Sequence, residues 1–444
     1  MMNSENYKIK EWYKSNFEKF EKNLNGESKT FFHQSRKDAF SKIDDFDFPT
    51  QKVEEWKYTN ISPILKHNFV PASIAVKTEI SKDEVKNIAF ENFESHLLVF
   101  VNGIFSKDLS SIDGLPQGVI IDSLNNILEN NPDILQKHHA EISKSENIFT
   151  TLNAAYAYDG FVAIVPDGKI VGKPVQILYL NGSGSENILS TPRNFISVGK
   201  DAQLKVIAHF MGVSDNTYFT DSVTDVVCGE NSVVEIYKIQ NESNAAFHIE
   251  RTSVSQKNSA NFSHHNLSFG GALARNDIYS VLDGEHIESH LYGLYLANEK
   301  QHVDTHTFID HAKPNSFSNE VYKGILDDES HGVFGGKILV RQDAQKTNAY
   351  QSNKTVLLSK NANIDTKPQL EIYADDVKCS HGATVGHLDD NAYFYIRSRG
   401  VPDDLAKSML IHAFANDVIE AVKIEPLRES LNHMIFEHLH RVEI

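Results

Sequence analysis

Residues 276–309 read NDIYSVLDGEHIESHLYGLYLANEKQHVDTHTFI, and this stretch decides the fold. It holds three strand-like runs, NDIYSVL, HLYGLYLA and HVDTHTFI, with only short polar segments between them. In a similar run, QLKVIAHF at residues 203–210, every second residue from Leu204 to Phe210 is apolar. Such a period of two is typical of β-strands. No long amphipathic helix interrupts these runs, so the stretch predicts consecutive strands joined by turns.

The same pattern extends through the chain from about residue 150. The further strand-like runs are VQILYL (175–180), VVEIYKIQ (233–240), KILVR (337–341), TVLLS (355–359), LEIYA (370–374) and AYFYI (392–396). Roughly 250 residues of short strands and polar turns permit two architectures, a β-sandwich or barrel and a parallel β-helix. The length favours the parallel β-helix, because a single sandwich of this size would be unusual.

Four regions are predicted along the chain. Residues 1–90 form an N-terminal helical region, 91–150 an α/β connecting region, 151–400 the β core and 401–444 a C-terminal helical region. The last region holds two amphipathic helices, with apolar faces formed by Leu405, Met409, Leu410, Ala413, Phe414 and Val418 and, after Glu425-Pro426, by Leu427, Leu431, Met434, Ile435 and Leu439. These helices either cap the β core or dock a partner.

Composition excludes several classes of function. The chain has 444 residues, 43 Lys and Arg against 60 Asp and Glu, and a net charge of −17. An acidic chain repels nucleic acids and anionic membrane surfaces. The N-terminus has no apolar segment of a signal peptide, and no apolar run approaches the ~20 residues of a membrane span. Two cysteines, Cys228 and Cys379, make no disulfide framework, so we expect a cytoplasmic protein.

No nucleotide-binding or hydrolase motif is present. The stretch HGVFGGKI (331–338) lacks the first glycine of a phosphate-binding loop and the Ser or Thr that should follow Lys337. GxGxxG after a strand, GxSxG and HExxH are also absent from the sequence. Any nucleotide chemistry would therefore be supplied by a partner.

Histidine is abundant, with 21 residues. Eight lie close together in the sequence: His248, His264, His265, His286, His290, His302, His306 and His311. Imidazole ligates borderline metals, and His302, Asp304 and His306 would share one strand face. Their spacing along the sequence does not place three of these side chains at one metal site. We therefore expect them to be polar side chains on solvated strand faces.

The most distinctive local motif is CSHGATVG, residues 379–386. On a strand, Cys379 and His381 lie on the same face, about 6.6 Å apart along the chain. A thiolate with an imidazole suits iron or zinc, but two ligands are too few for a closed site. Further ligands would come from another segment or chain. Val377 lies on the same face and favours the alternative that Cys379 is simply buried.

Four stretches resemble the SufB/SufD family. They are FPTQKVEEWKYTN (48–60), NAAYAYDGFVAIVPDGKIVGKP (153–174), SNEVYKGIL (318–326) and NAYQSNKTVLLSKNANIDTKPQLEIYADDVKCSHGATVGHLDDNAYFYIRSRGVPDDLAKSM (348–409). The sister SufB subunit carries Glu on both sides of the motif histidine, whereas Ser380 and Gly382 flank His381 here. This difference, and the lack of extra N-terminal cysteines, places the resemblance on the SufD side of the family.

The resemblance implies a mainly β fold, a flattened right-handed parallel β-helix flanked by N-terminal and C-terminal α-helical regions. It also implies a non-catalytic scaffold subunit of the SufBCD complex for iron–sulfur cluster biogenesis. Such a subunit pairs with a SufB-type paralogue through the ends of the β-helices and docks a SufC-type ABC ATPase through its C-terminal helices. The sulfur donor system acts indirectly, no nucleotide is bound by this chain itself, and a homodimer of the isolated chain stays an open alternative.

By the same resemblance, His381 and Cys379 occupy the SufB interface. They would hold a transient iron or iron–sulfur cluster shared with SufB, with His381 the better ligand and Cys379 auxiliary. Two alternatives remain. One is a purely structural subunit without a metal site. The other is a polysaccharide-active β-helix enzyme using Asp327-Asp328-Glu329 and Asp375-Asp376, although both runs have the spacing of ordinary solvated turns.

Overall fold

The core of the protein is a parallel β-solenoid of about eight turns. A computed structural model describes residues 2–24, 30–75, 80–138, 145–182, 184 and 186–438. From Arg193 onward, successive strands alternate between two sheets, and each strand pairs in parallel with the strand two positions further along the chain. This confirms the predicted β-helix and is not the pairing of an antiparallel sandwich.

Within the described residues, the first sheet has eleven strands and the second has ten. The first sheet contains β1 (Val70–Pro71), β4 (Ile120–Ser123), β5 (Phe161–Val165), β7 (Ile188–Ser190), β8 (Arg193–Val198), β10 (Phe219–Cys228), β12 (Phe247–Gln256), β14 (Leu273–Leu282), β16 (His302–His311), β18 (His331–Val340) and β20 (Asn363–Ile372). The second contains β2 (His96–Val101), β3 (Ile104–Phe105), β6 (Val175–Asn181), β9 (Gln203–Gly212), β11 (Val233–Asn241), β13 (Asn261–Ser268), β15 (Glu288–Ala297), β17 (Phe317–Leu326), β19 (Asn348–Leu357) and β21 (Lys378–Gly386).

The lumen between the sheets is the main hydrophobic core. Because side chains alternate across a strand, every second residue of each sheet points inward. In-register rows such as Val206, Ile236 and His264 therefore run along the lumen from turn to turn. The lumen is apolar at its centre, where Ile236, Phe262 and Leu291 are buried.

The helices cover the outer faces of the sheets. They are α1 (Met2–Lys22), α2 (Phe31–Ser41), α3 (Ser62–Leu65), α4 (Lys82–Ile88), α5 (Leu124–Asn130), α6 (Pro132–Lys137), α7 (Ile148–Tyr156), α8 (Asp390–Ser398), α9 (Asp403–Ile419) and α10 (Glu425–His438). Phe17, Trp56 and Phe149 pack with Phe219 and Phe247 on the outer face of the first sheet. None of the helices within the described residues is long and apolar enough to cross a membrane.

The segment Val53–Asn60 fastens the N-terminal region to the first sheet. The guanidinium of Arg275 lies 3.7 Å from the centre of the Trp56 ring, and its Nη1 lies 2.7 Å from Asp304 Oδ2. The Thr59 hydroxyl donates to the same carboxylate oxygen at 2.6 Å. A buried charge is tolerated only when it is paired and hydrogen-bonded, and Asp304 meets both conditions.

The C-terminal helices cap the outer face of the second sheet. Ile411, Ala415 and Val418 of α9 pack with Ile207 and Ile239 of the sheet. Phe414 is half-buried against the same cluster, so the predicted apolar face of α9 is confirmed at Phe414 and Val418 and wrong at its other positions. Small alanines on the packed side let the helix approach the sheet closely, and Leu405, Met409 and Ala413 of the predicted stripe face away from it. The predicted start of α10 at Glu425-Pro426 is confirmed, whereas Leu439 and the rest of residues 439–444 lie outside the described residues.

The solenoid begins and ends at other residues than the predicted β core, 151–400. Strand β2 belongs to the second sheet and β4 to the first, although both precede residue 151, and the last strand ends at Gly386. The run AYFYI (392–396), predicted as a strand, lies in helix α8. The Asp389 side chain accepts hydrogen bonds from the backbone N–H groups of Asn391 and Ala392. This N-cap begins a helix at a point where no neighbouring strand among the described residues pairs with the backbone.

Candidate functional site

The solenoid ends in two exposed edge strands, which we call the open end. Strand β20 pairs only with β18 and strand β21 only with β19 within the part of the chain that the structure describes. Ile372, Tyr373 and Val385 are respectively 39%, 63% and 49% exposed at this end. An unpaired edge with exposed apolar side chains is a ready surface for another chain.

Cys379 and His381 both lie on β21 and face the lumen side of the open end. Their register partners on β19 are Ala349 and Gln351, which are both buried between the sheets. The shared face predicted for Cys379 and His381 is therefore confirmed. The flanking Ser380 and Gly382 lie on the opposite face of the strand.

The two side chains differ in burial. Cys379 is half-buried and packs against the lumen core, and this burial raises the pKa of its thiol. His381 is exposed. No group of three His, Cys, Asp or Glu residues capable of holding a metal occurs among residues 2–438 outside the undescribed gaps. A metal held by Cys379 and His381 would thus need ligands from a second chain.

Two polar residues that the sequence analysis missed lie directly below His381. Gln351 is its register partner, and the Gln351 Nε2 donates a hydrogen bond to Glu320 Oε2 on the next turn. Burial raises the pKa of the Glu320 carboxyl to about 7. Glu320 and Gln351 lie in two of the stretches that resemble the SufB/SufD family. Only the strand register shows that they share a row with His381.

The clustered histidines do not form one site. The expectation that they are solvated is wrong for half of them, because His248, His264, His265 and His311 are buried. His264 and His311 face the lumen, and burial lowers the pKa of each to about 4. His248 lies in the lumen with its Nδ1 2.7 Å from Glu242 Oε2. Parallel strands place alternate residues inside, whatever their polarity. Two of these imidazoles are paired there, His248 with Glu242 and His311 with the Ser318 hydroxyl.

His302, Asp304 and His306 share the outer face of the first sheet, as predicted. The His306 Nε2 lies 2.9 Å from Asp304 Oδ1, while the His302 Nε2 bonds to the Thr59 hydroxyl at 2.8 Å. Next to them is a cavity of about 450 Å³ between the Val53–Asn60 segment and β16, β18 and β20. Its charged lining mixes Glu54 and Asp304 with Lys337 and Lys367, and Lys367 is paired with Glu54. The mixture favours no single ligand class.

The acidic runs considered for polysaccharide chemistry lie in turns. Asp327-Asp328-Glu329 joins β17 to β18, and Asp328 has a positive φ of 52°. Asp328 Oδ2 accepts a hydrogen bond from the backbone N–H of Glu299 in the neighbouring turn. Asp375-Asp376 occupies the turn before β21. These carboxylates support turns rather than converge on a cleft.

Two family models match most of the chain. The model of the "SUF system FeS cluster assembly, SufBD core domain" matches residues 180–414, and that of the "SufBD protein N-terminal region" matches residues 7–177. The core match runs from the end of β6 through the open end of the solenoid to Phe414 in α9.

Similar curated proteins agree with these models. The chain is 32% identical over 394 residues to the iron–sulfur cluster assembly protein SufD of Escherichia coli, covering 88% of this chain and 89% of that protein. It is 29% identical over 420 residues to an iron–sulfur cluster assembly SufBD family protein of Synechocystis, covering 93% and 92%. It is 24% identical over 420 residues to the SufD protein of Bacillus subtilis, covering 90% and 92%.

Proposed function

This chain belongs to the SufBD family of iron–sulfur cluster assembly proteins, and from that premise we propose that it is a SufD-type, non-catalytic scaffold subunit of a cytoplasmic SufBCD complex. One observation carries the proposal. The only two residues of the CSHGATVG motif with metal-ligating side chains, Cys379 and His381, lie on the edge strand β21, where a second solenoid would cover them.

The partner at the open end is a SufB-type paralogue. Exposed apolar residues and two unpaired strand edges favour a protein that extends both sheets. Iron, or a nascent cluster, is the cargo of the interface. His381 supplies an imidazole ligand and Cys379 an auxiliary thiol, while the remaining ligands come from the partner.

The second partner is a SufC-type ABC ATPase, which docks on the C-terminal helices. The α9 residues that face away from the sheet include Leu405, Met409 and Ala413, at a spacing of four residues along one side of the helix. Met409 is 37% exposed although it is apolar. This stripe is not used in the capping contacts, and its apolar chemistry fits a protein surface rather than solvent.

The test is anaerobic purification of the tagged chain from its native lysate, with identification of the co-purifying proteins by mass spectrometry. We expect a SufB-type paralogue and an ABC ATPase. Sulfur reaches the complex indirectly, so a desulfurase need not remain bound. Recovery of the chain without either partner would contradict the scaffold role.

The metal role of the open end is tested with His381→Ala in the co-expressed complex. We expect assembly at wild-type yield, with iron and sulfide per complex lower by about tenfold or more, because a ligand is lost while the apolar contacts remain. Ser380→Ala, on the opposite face of β21, is the matched control. Wild-type iron and sulfide in His381→Ala would refute the metal role.

A purely structural subunit is the second candidate. It is favoured by the packing of Cys379 against the core and by the raised pKa of its thiol, since a protonated thiol is a poor ligand. The double variant Cys379→Ala/His381→Ala separates the two candidates. Iron that persists at the wild-type level in this variant supports the structural role.

A further inference from the structure

A row of lumen-facing side chains leads from the interior of the solenoid to His381. Leu291, Glu320, Gln351 and His381 are register partners on the consecutive strands β15, β17, β19 and β21. Neighbouring strands lie about 4.8 Å apart, so each side chain of the row lies next to the following one. Glu320 is completely buried and Gln351 is 3% exposed.

The last three members of the row, Glu320, Gln351 and His381, are polar, and the hydrogen-bonding groups of Gln351 are only partly satisfied. The Gln351 Nε2 donates to Glu320 Oε2. In contrast, the Gln351 Oε1 is buried and has no hydrogen-bond partner among the residues that the structure describes. Leaving a buried acceptor unpaired costs about 1–3 kcal/mol, so an unpaired atom beside an open end indicates that something there completes it.

The orientation of the Gln351 amide is fixed by its surroundings. A Cβ built on Gly336, across the lumen, would lie 2.4 Å from Gln351 Nε2 and 2.8 Å from its Cδ. Only glycine at this position leaves room for the amide. With Nε2 held by Glu320, the carboxamide oxygen is the atom left free for the neighbouring strand, whose residue in register is His381.

We propose that Gln351 is a positioning residue for His381, with its Oε1 accepting the N–H of the imidazole while Glu320 holds the amide in that orientation. The inference rests on the proposed function of His381 as an interface ligand. A histidine that ligates through one nitrogen must donate its other N–H, and a fixed acceptor sets both the tautomer and the ring direction. Glu320 and Gln351 therefore act from inside the lumen without touching the cargo.

The test uses the co-expressed complex and titration with ferrous iron under anaerobic conditions. In Gln351→Leu we expect iron to bind about 10–100-fold more weakly, since the acceptor is lost. Glu320→Gln keeps an acceptor for the Gln351 amide and should bind iron as the wild type does. Asn353→Leu is the matched control, because Asn353 is equally buried on β19 but lies in register with Ala383.

A second readout follows the imidazole without iron. Long-range hydrogen–nitrogen NMR correlations of labelled histidine report the tautomer of His381, assigned by its loss in His381→Ala. We expect one dominant tautomer in the wild type and a mixture in Gln351→Leu. If Gln351→Leu misfolds, the double variant Glu320→Leu/Gln351→Leu removes both polar partners at little cost to stability and replaces it.

The outcomes separate this inference from the proposed function. Wild-type iron affinity in Gln351→Leu, with loss in His381→Ala, overturns the positioning role and leaves the metal role intact. Equal weakening in Gln351→Leu and Asn353→Leu also overturns it, because packing alone would then explain the effect. Unchanged iron affinity in His381→Ala overturns both.

Discussion

At the scale of single residues, Cys379 and His381 are neighbours on one face of β21 but meet solvent differently. The thiol is half-buried and the imidazole is exposed. Since only the thiolate is a nucleophile and a metal ligand, burial makes Cys379 less reactive in the free chain than an exposed cysteine would be. Glu320 also faces the lumen, two strands away from β21, and its burial there raises its pKa to about 7.

The thiol chemistry predicts slow alkylation of Cys379 by iodoacetamide at neutral pH. The rate should rise about tenfold per pH unit beyond the ordinary range of a cysteine, because the pKa is raised. Mass spectrometry of the native chain measures it. Cys228 is completely buried, so Cys379→Ala should show almost no native labelling. Alkylation at neutral pH as fast as that of a free cysteine peptide would contradict this prediction.

Glu320 predicts a pH dependence of stability. Its pKa is raised from an ordinary 4.5 to about 7 in the folded chain, so the folded state holds this proton more tightly. The stabilisation is complete below the unfolded pKa and is lost as the pH rises through 7.

Relative to Glu320→Gln, the wild type should lose about 3 kcal/mol of unfolding free energy between pH 4.5 and 7. Denaturant titrations of both proteins across this range measure the difference. Burial also raises the pKa of Asp159 to about 7, but it is present in both proteins and cancels. If the unfolding free energies of the two proteins change in parallel with pH, ionisation of Glu320 costs no stability and the prediction is wrong.

At the scale of elements, helix α9 has two apolar sides with different uses. The side with Ala406, Ile411 and Ala415 is buried, and Ile411 and Ala415 pack against the second sheet. The side with Met409 is open. A helix that is apolar on both sides needs two surfaces to cover it, and the sheet provides only one. The cap and docking alternatives are therefore compatible.

Substitutions on the two sides of α9 should have opposite effects. Met409→Glu is expected to weaken binding of the SufC-type ATPase about tenfold with stability changed by less than about 0.5 kcal/mol. Ala415→Glu buries an unpaired charge and should unfold the C-terminal cap. Isothermal titration with the purified ATPase and thermal denaturation measure the two effects. Wild-type ATPase affinity in Met409→Glu would place the dock elsewhere.

At the scale of the whole molecule, the solenoid is covered along its sides and open at one end. Helices pack on the outer faces of both sheets, whereas β20 and β21 keep free edges within the described residues. Proteins usually blunt such edges, because a free strand edge recruits another chain. The open end is thus the part of this molecule that remains incomplete without a partner.

The isolated chain should self-associate through the open end. Light scattering after size-exclusion chromatography is expected to show a mass that rises with concentration from the 50.0 kDa monomer towards a dimer. Val385→Lys places a charge on the lumen side of β21 and should keep the chain monomeric. Ile170→Lys, an exposed apolar site in the first turns of the solenoid, is the control. Equal masses for Val385→Lys and the wild type would place self-association elsewhere.

The sequence by itself determined the local features of this protein. Period-two runs predicted the strands, and the CSHG motif placed Cys379 and His381 on one face. Each of these depends on neighbours along the chain, since strand alternation acts over a few residues. The exception is AYFYI, whose strand-like composition yields to the Asp389 cap.

Only the tertiary structure decided which distant residues meet. His264, Leu291, Glu320, Gln351 and His381 form one lumen row, yet successive members are 27, 29, 31 and 30 residues apart. Because turn lengths vary, no count along the sequence gives this register, and a slip of one residue would turn every side chain to the other face. The pairing of strands between turns therefore decides that a buried amide lies beneath His381.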